Sequence, residues 1–145
     1  MTTGPATSTT PALLEVDDLV KHFQLNAGLF GRPSAVVKAV DGVTFGVTAG
    51  ETLGIVGESG CGKSTTARLL MHLITPTSGA LRYKGAPVGT TAMPLKAFRR
   101  QVQMVFQDSY ASLNPRLTIE DSIAFGPKVH GTSTADSIMR ARRLL

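Results

Sequence analysis

A chain of 145 residues, 42% of them apolar, carries enough nonpolar surface for one domain core and is not a wholly disordered polymer. Fifteen Gly and eight Pro exclude a coiled coil, and no apolar run approaches the length of a membrane-spanning helix. The net charge is +5, and residues 96–145 hold eight Lys/Arg against four Asp/Glu. No Lys/Arg run there reaches the length of a nucleic-acid patch, so the excess reads as a solvated or partner-facing surface, with no nucleic acid implied. The one cysteine, Cys61, forms no internal disulfide, and no basic flank precedes an apolar leader. The expected address is therefore cytosolic.

Residues 1–12 are small, polar and Pro-bearing and are expected to be a disordered tail. Two short strands, Leu14–Asp17 and Leu19–Phe23, are expected on either side of a carboxylate pair. A loop at 26–34 follows, with Gly28, Gly31 and Pro33. Val36–Val40 and Val43–Val47 flank Asp41-Gly42, a turn signal, so this part reads as an antiparallel meander. Ala49-Gly50-Glu51 is a further turn. Thr52–Val56 is a short apolar run of the kind buried in a parallel sheet.

A helix is expected next, with Ala67, Leu70, Met71 and Ile74 on one face and Thr75-Pro76 as its stop. Met71 and Met104 read as core residues. Gly79–Tyr83 and Ala86–Val88 form a hairpin about Lys84-Gly85. A short helix spans Pro94–Gln101, with Leu95, Phe98 and Val102 on one side, and Gln103–Phe106 reads as a strand. Thr118–Phe125 has helical spacing with Ile119, Ile123 and Ala124 apolar. A last helix begins near Thr134, whose hydroxyl is a cap, with Ala135, Ile138 and Leu145 on one face.

The residues Gly57-Glu58-Ser59-Gly60-Cys61-Gly62-Lys63-Ser64 fit G-x-x-x-x-G-K-[ST]. Glycines let successive backbone N–H groups turn toward phosphate oxygens, and the helix that opens here adds its positive end. Lys63 reaches the β- and γ-phosphates as a flexible point charge, the Ser64 hydroxyl suits Mg²⁺, and Thr65 is in reach of the α-phosphate side. The motif follows an apolar strand pattern and opens an amphipathic one, as phosphate binding requires. Cys61 reads as a small side chain at an unconstrained position, though blocking its thiol would obstruct nucleotide. His22, His72 and His130 share no metal-ligand spacing and read as structural or exposed. Arg140, Arg142 and Arg143 read as the wet face of the last helix.

With these residues in hand, the chain resembles the ATP-binding cassette family, and within it the ATPase subunits of bacterial oligopeptide/dipeptide importers. The likeness runs from Val37-Lys38-Ala39-Val40-Asp41-Gly42-Val43 through Gly50–Thr66. It returns in Gln103-Met104-Val105-Phe106-Gln107-Asp108-Ser109-Tyr110-Ala111-Ser112-Leu113-Asn114-Pro115-Arg116, where Ser109 stands in place of the subfamily's usual Pro. By this resemblance Gln107 is the Q-loop glutamine, an uncharged acceptor for Mg²⁺ and the attacking water. Phe23 is the aromatic residue that stacks on adenine; its alternative place is the core of the first hairpin.

The implied fold is α/β: a P-loop NTPase core with an N-terminal antiparallel β-subdomain, truncated before the Walker B strand. Residues 13–145 are then a partial nucleotide-binding domain. The implied ligands are ATP and Mg²⁺. The implied partners are transmembrane permease subunits, a second ATPase subunit that is homologous or identical, and, indirectly, a solute-binding protein. The implied location is the cytoplasmic face of a membrane.

The 145 residues contain no Leu-Ser-Gly-Gly-Gln signature, and no apolar β-run precedes Asp108, Glu120 or Asp121 in the Walker B manner. The expectation is half a site: ATP binding that is weak, no hydrolysis, and a marginal, aggregation-prone fold. A small-molecule kinase is the rival within P-loop enzymes, and the Gln103–Arg116 stretch argues against it. A non-catalytic remnant, or an interaction module competing for transporter partners, is the rival from another class.

Overall fold

A computed structural model describes residues 11–26, 33–108 and 113–145. The expected tail therefore falls mostly outside the described residues, as do most of the loop at 26–34 and Ser109–Ser112. The chain divides into two compact units, residues 1–102 and 103–145.

The first unit is built on two long strands, β1 (Leu14–Asn26) and β2 (Pro33–Val47), which pair antiparallel. The two short strands expected before Phe23 are one. Asp17-Asp18 breaks the period-2 alternation not by ending the strand but by a bulge, with register shifting between Val16 and Leu19. Asp18 takes a left-handed φ of 45°, and its N–H donates to Thr44 Oγ1 at 2.9 Å. The extra residue lets Val16 and Leu19 both face the core, each 2% exposed. Asp41-Gly42 is likewise no turn: β2 runs through it, and the register shifts again between Leu19 and Lys21.

β3 (Ser78–Tyr83) pairs antiparallel with β1, and β4 (Ala86–Pro87) with β3, giving the sheet order β2-β1-β3-β4. The hairpin about Lys84-Gly85 is as the sequence predicts. Gly79 is required where β3 crosses the β1 bulge. Its φ is 94°, and a Cβ there would lie 2.3 Å from the Asp18 carbonyl oxygen.

Two helices cover this sheet. α1 (Lys63–Leu70) contributes buried Thr66 and Leu69, and α2 (Leu95–Gln101) contributes Phe98, which is fully buried. Phe98 meets the Tyr83 ring edge-on at 5.5 Å, within a core of Val16, Leu19, Val40, Leu69, Leu81 and Val88. α1 is shorter than its apolar spacing suggests. His72 adopts φ 50° just past the C-cap Met71, and the Leu73 and His72 N–H groups donate back to the Arg68 and Leu69 carbonyls at 2.9 Å each. This left-handed cap closes the helix before Thr75-Pro76 acts. Met71 is half-buried rather than a core residue.

Thr52–Val56 and Gln103–Phe106 belong to no helix and no ladder. Their patterns are those of buried strands, but a strand forms only in a ladder with a neighbour, and neither stretch joins the four-stranded sheet. Val56 and Val105 are accordingly more than nine-tenths exposed.

The second unit is a helical hairpin of α3 (Ile119–Val129) and α4 (Thr134–Arg142). Each start is capped by a hydroxyl side chain. Thr118 Oγ1 accepts from the Asp121 N–H at 3.0 Å, and Ser133 Oγ accepts from the Asp136 N–H at 3.1 Å. The cap of α4 is thus Ser133, not Thr134. The helices meet through small residues, Ala124, Ser137 and Ala141, all fully buried, and Arg142 Nε donates to Glu120 Oε2 at 2.6 Å. The face predicted for α4 is not the buried one: Ala135 and Leu145 are exposed. No helix among the described residues is long and apolar enough to cross a membrane.

Candidate functional site

The residues of the G-x-x-x-x-G-K-[ST] motif close around one ammonium group. Lys63 Nζ donates to the Gly57 carbonyl at 2.7 Å and to the Glu58 carbonyl at 2.6 Å, and stands 3.5 Å from Cys61 Sγ. A turn hydrogen bond from the Cys61 N–H to the Glu58 carbonyl, at 3.3 Å, folds the loop back on itself. A Cβ on Gly57 would meet Cys61 Sγ at 2.6 Å, so a side chain at that position would have to displace the thiol. Glu58, Ser59 and Gly60 are exposed, as is Cys61.

The loop hands over to α1 at Gly62, which caps the helix in the left-handed region at φ 97°. A Cβ there would sit 2.2 Å from the Ala39 carbonyl oxygen and 3.7 Å from Val40 Cγ2. Gly62 is therefore seated directly on β2, and no other residue type fits. Inside the first turn, Thr66 donates its hydroxyl to the Gly62 carbonyl at 3.1 Å while its N–H makes the 2.8 Å helical bond to the same oxygen. The exposed Ser64 hydroxyl and the half-buried Thr65 lie in this turn. The first N–H groups of a helix have no intrahelical acceptor, so a cation and the N–H donors of a helix start lie together in this stretch. That arrangement suits a polyanion.

Ahead of the loop, Glu51 accepts from the Thr48 N–H at 2.8 Å and from its hydroxyl at 2.6 Å. These bonds hold the Glu51 carboxyl below its ordinary value. They pin the turn from which Thr52–Val56 departs.

Phe23 lies on β1 opposite Val37 and is 39% exposed. It is not part of the hairpin core. Lys21 Nζ stands 5.1 Å from the ring centroid. Gln107 belongs to the second unit and is exposed.

A cluster that the sequence pattern did not single out lies beside Phe23. His22 Nε2 meets Asp41 Oδ1 at 2.7 Å, and Lys38 Nζ meets Asp41 Oδ2 at 3.1 Å. The His22 hydrogen bond, then the Lys38 one, hold the Asp41 carboxyl below its ordinary value of 3.8. His22 reads from the sequence as scattered and structural because its partners arrive from another strand. Only the register of β1 on β2 reveals them.

With this geometry in view, comparison with known proteins gives a family. The ABC transporter family matches residues 40–144, and the chain belongs to it. Over 108 residues the chain is 58% identical to the "Probable peptide ABC transporter ATP-binding protein y4tS" of Sinorhizobium fredii, covering 74% of this chain and 31% of that protein. Over 113 residues it is 50% identical to the oligopeptide transport ATP-binding protein AppF of Bacillus subtilis, covering 77% and 34%. The chain thus spans about a third of the length of these curated relatives. Among solved structures, the dimeric ATP-binding cassette MJ0796 in a post-hydrolysis state with ADP and Pi superposes with a TM-score of 0.69 at 21% identity. That match covers 90% of this chain and 54% of the cassette, and it shows the fold. A bacterial Atm1-family ABC exporter with ATP bound gives a TM-score of 0.57 at 29% identity over 83% of this chain and 19% of that one.

Proposed function

We propose that the chain forms the phosphate-holding part of the ATP-binding subunit of an ABC transporter for peptide import. The observation that carries this reading is the Lys63 ammonium, held by the Gly57 and Glu58 carbonyls at the centre of the 57–64 loop and at the N-terminus of α1. A triphosphate is the anion whose charge and length match a lysine plus the N–H donors of a helix start. The relatives named above, a peptide transporter subunit and an oligopeptide transporter subunit, support the cargo class.

In this reading Gly57, Glu58, Ser59, Gly60 and Gly62 supply backbone N–H donors, Cys61, whose N–H is committed to the Glu58 carbonyl, lines the loop, and Lys63 neutralises the β- and γ-phosphates. Phe23 offers an open ring face to adenine, with Lys21 on the ring. Ser64, an exposed hydroxyl in the first turn of α1, fits an oxygen ligand of Mg²⁺. When bound, Mg²⁺ would draw charge from the β- and γ-oxygens. Thr66 does not take part, because its hydroxyl is committed to the Gly62 carbonyl. The partners of the whole subunit are permease subunits, a second ATPase subunit and, indirectly, a solute-binding protein, at the cytoplasmic face of a membrane.

The sequence holds no Leu-Ser-Gly-Gly-Gln signature and no Walker B pattern, so the 145 residues are proposed to bind ATP without turning it over. A phosphate-release assay on the purified chain is expected to stay at the background rate. Steady multi-turnover release that disappears in Lys63→Ala would overturn the half-site reading and leave the family assignment intact.

A further inference from the structure

The seat of the phosphate loop on β2 is an irregular one. Lys21 pairs with Val40, but the next residue of β1, His22, pairs with Lys38. Ala39 is therefore the extra residue of a bulge, unopposed on β1. It is the Ala39 carbonyl oxygen that a Cβ on Gly62 would strike at 2.2 Å. A bulge re-aims the peptide groups around it, and here it turns the Ala39 carbonyl toward the last glycine before Lys63.

The charged cluster brackets this bulge. Lys38 and Asp41 flank Ala39 and Val40 on β2, and both are tied through the Asp41 carboxylate, which also takes the hydrogen bond from His22 across the strands. One carboxylate thus fixes the two ends of the bulge and its opposite strand. The same bond fixes the residue before Phe23. On the other side, the His22 N–H donates to Thr77 Oγ1 at 3.0 Å, and Lys21 Nζ donates to the Thr75 carbonyl at 2.7 Å. β1 is held from both sides at this point.

We propose that Asp41, His22 and Lys38 are positioning residues for nucleotide binding: their ion cluster sets the bulge at Ala39, and the bulge seats Gly62 and hence the Lys63 loop. The cluster touches no phosphate and acts only through β2. This proposal rests on the nucleotide reading above for its effect on affinity, but not for its effect on the loop.

Two readouts separate those dependencies. The first is hydrogen–deuterium exchange, within residues 57–66 of the 145-residue chain, at the hydrogen-bonded amides of Cys61 and Thr66. Asp41→Ala and His22→Ala are expected to speed this exchange roughly twofold to fivefold, the range for losing a partly exposed charged contact. His22→Lys, which keeps a hydrogen-bond donor opposite Asp41, is expected to restore it. Val88→Ala, which weakens the core at the β3–β4 end, is the control for general destabilisation and is expected to leave residues 57–66 unchanged relative to the rest of the sheet. The second readout is the Kd for ATP, expected to rise by a similar factor in the Ala variants and to recover in His22→Lys.

Exchange at 57–66 that is unchanged in both Ala variants, or that rises equally in Val88→Ala, would overturn the proposal. If the unsubstituted chain binds no ATP while the exchange pattern appears as expected, the nucleotide reading fails and the positioning role stands. If ATP binds, Lys63→Ala loses it, and the cluster variants bind like the unsubstituted chain with normal exchange, the positioning role fails and the nucleotide reading stands.

Discussion

The two units of this chain are stabilised by opposite means. Residues 1–102 enclose a core of large side chains, with Phe98, Leu19, Leu69 and Val16 essentially without solvent contact. Residues 103–145 join their helices through Ala124, Ser137 and Ala141, while Phe125, Ile119, Val129 and Met139 lie half or more exposed, or nearly so. Burial of large apolar side chains contributes more than any capping interaction, so the first unit rests on its core and the second on its helix ends and the Arg142–Glu120 pair. The lesson concerns where the candidate chemistry sits. The Lys63 loop is anchored to the unit with a core, whereas Gln107 belongs to the unit without one.

The largest expected effect tests that asymmetry. Phe98→Ala removes a fully buried ring and its edge-on contact with Tyr83, and should cost about 3–5 kcal/mol. Phe125→Ala, on an exposed ring, should change stability by less than about 0.5 kcal/mol. Chemical denaturation of both variants checks the pair, and equal losses would erase the distinction between the units.

Gly79→Ala comes next. A Cβ within 2.3 Å of the Asp18 backbone must push β3 off the β1 bulge, at a cost of about 2 kcal/mol or more. Gly85→Ala, where a Cβ would meet nothing within 4 Å, should lose only about 1 kcal/mol, from its left-handed φ of 77°. Comparing the two melting temperatures sharpens the claim that the bulge, not the turn, constrains the sheet.

Smaller still are the caps. Thr118→Ala and Ser133→Ala each remove one side-chain acceptor from a helix start and should cost about 1 kcal/mol apiece. The loss should appear as faster amide exchange in residues 118–142 with none in the β-sheet.

The smallest effect is a pH dependence. Burial first, and the Arg99 charge second, hold the His72 imidazole below its ordinary value of 6.5. The unfolded chain therefore takes up the proton more readily than the folded one. Stability at neutral pH should decline as pH falls through 6.5 and level off once the folded state is protonated as well. His72→Gly removes this slope and relieves a left-handed φ of 50°, so the variant should be as stable at pH 5.5 as at pH 7.5. Denaturation midpoints at the two pH values decide it.

Much of the site was legible in the sequence, because its logic is local. The Gly57–Ser64 spacing, the helix start at Lys63, the hairpin at Lys84-Gly85 and the Phe98 face of α2 each depend on a few adjacent residues. What escaped depends on partners far along the chain. Asp17-Asp18 looks like a strand break because a bulge and a turn both interrupt alternation, and only β3 with its Gly79 decides between them. His72 ends α1 in a conformation that its residue type does not advertise. The cap of α4 is Ser133, one residue before the Thr134 that the sequence pattern points to, because the backbone turns into the helix there. The pairing of His22 with Asp41 exists only in one register of β1 on β2.

The central claim is that the loop around Lys63 receives the phosphates of ATP. Equilibrium binding of a fluorescent ATP analogue to the 145-residue chain, beside Lys63→Ala and with inorganic tripolyphosphate as competitor, tests it most directly. The account predicts saturable binding that tripolyphosphate displaces and that Lys63→Ala weakens at least tenfold, the scale of losing one charge-assisted contact to phosphate. Saturable binding of equal strength in the two proteins would place the nucleotide elsewhere and contradict the account.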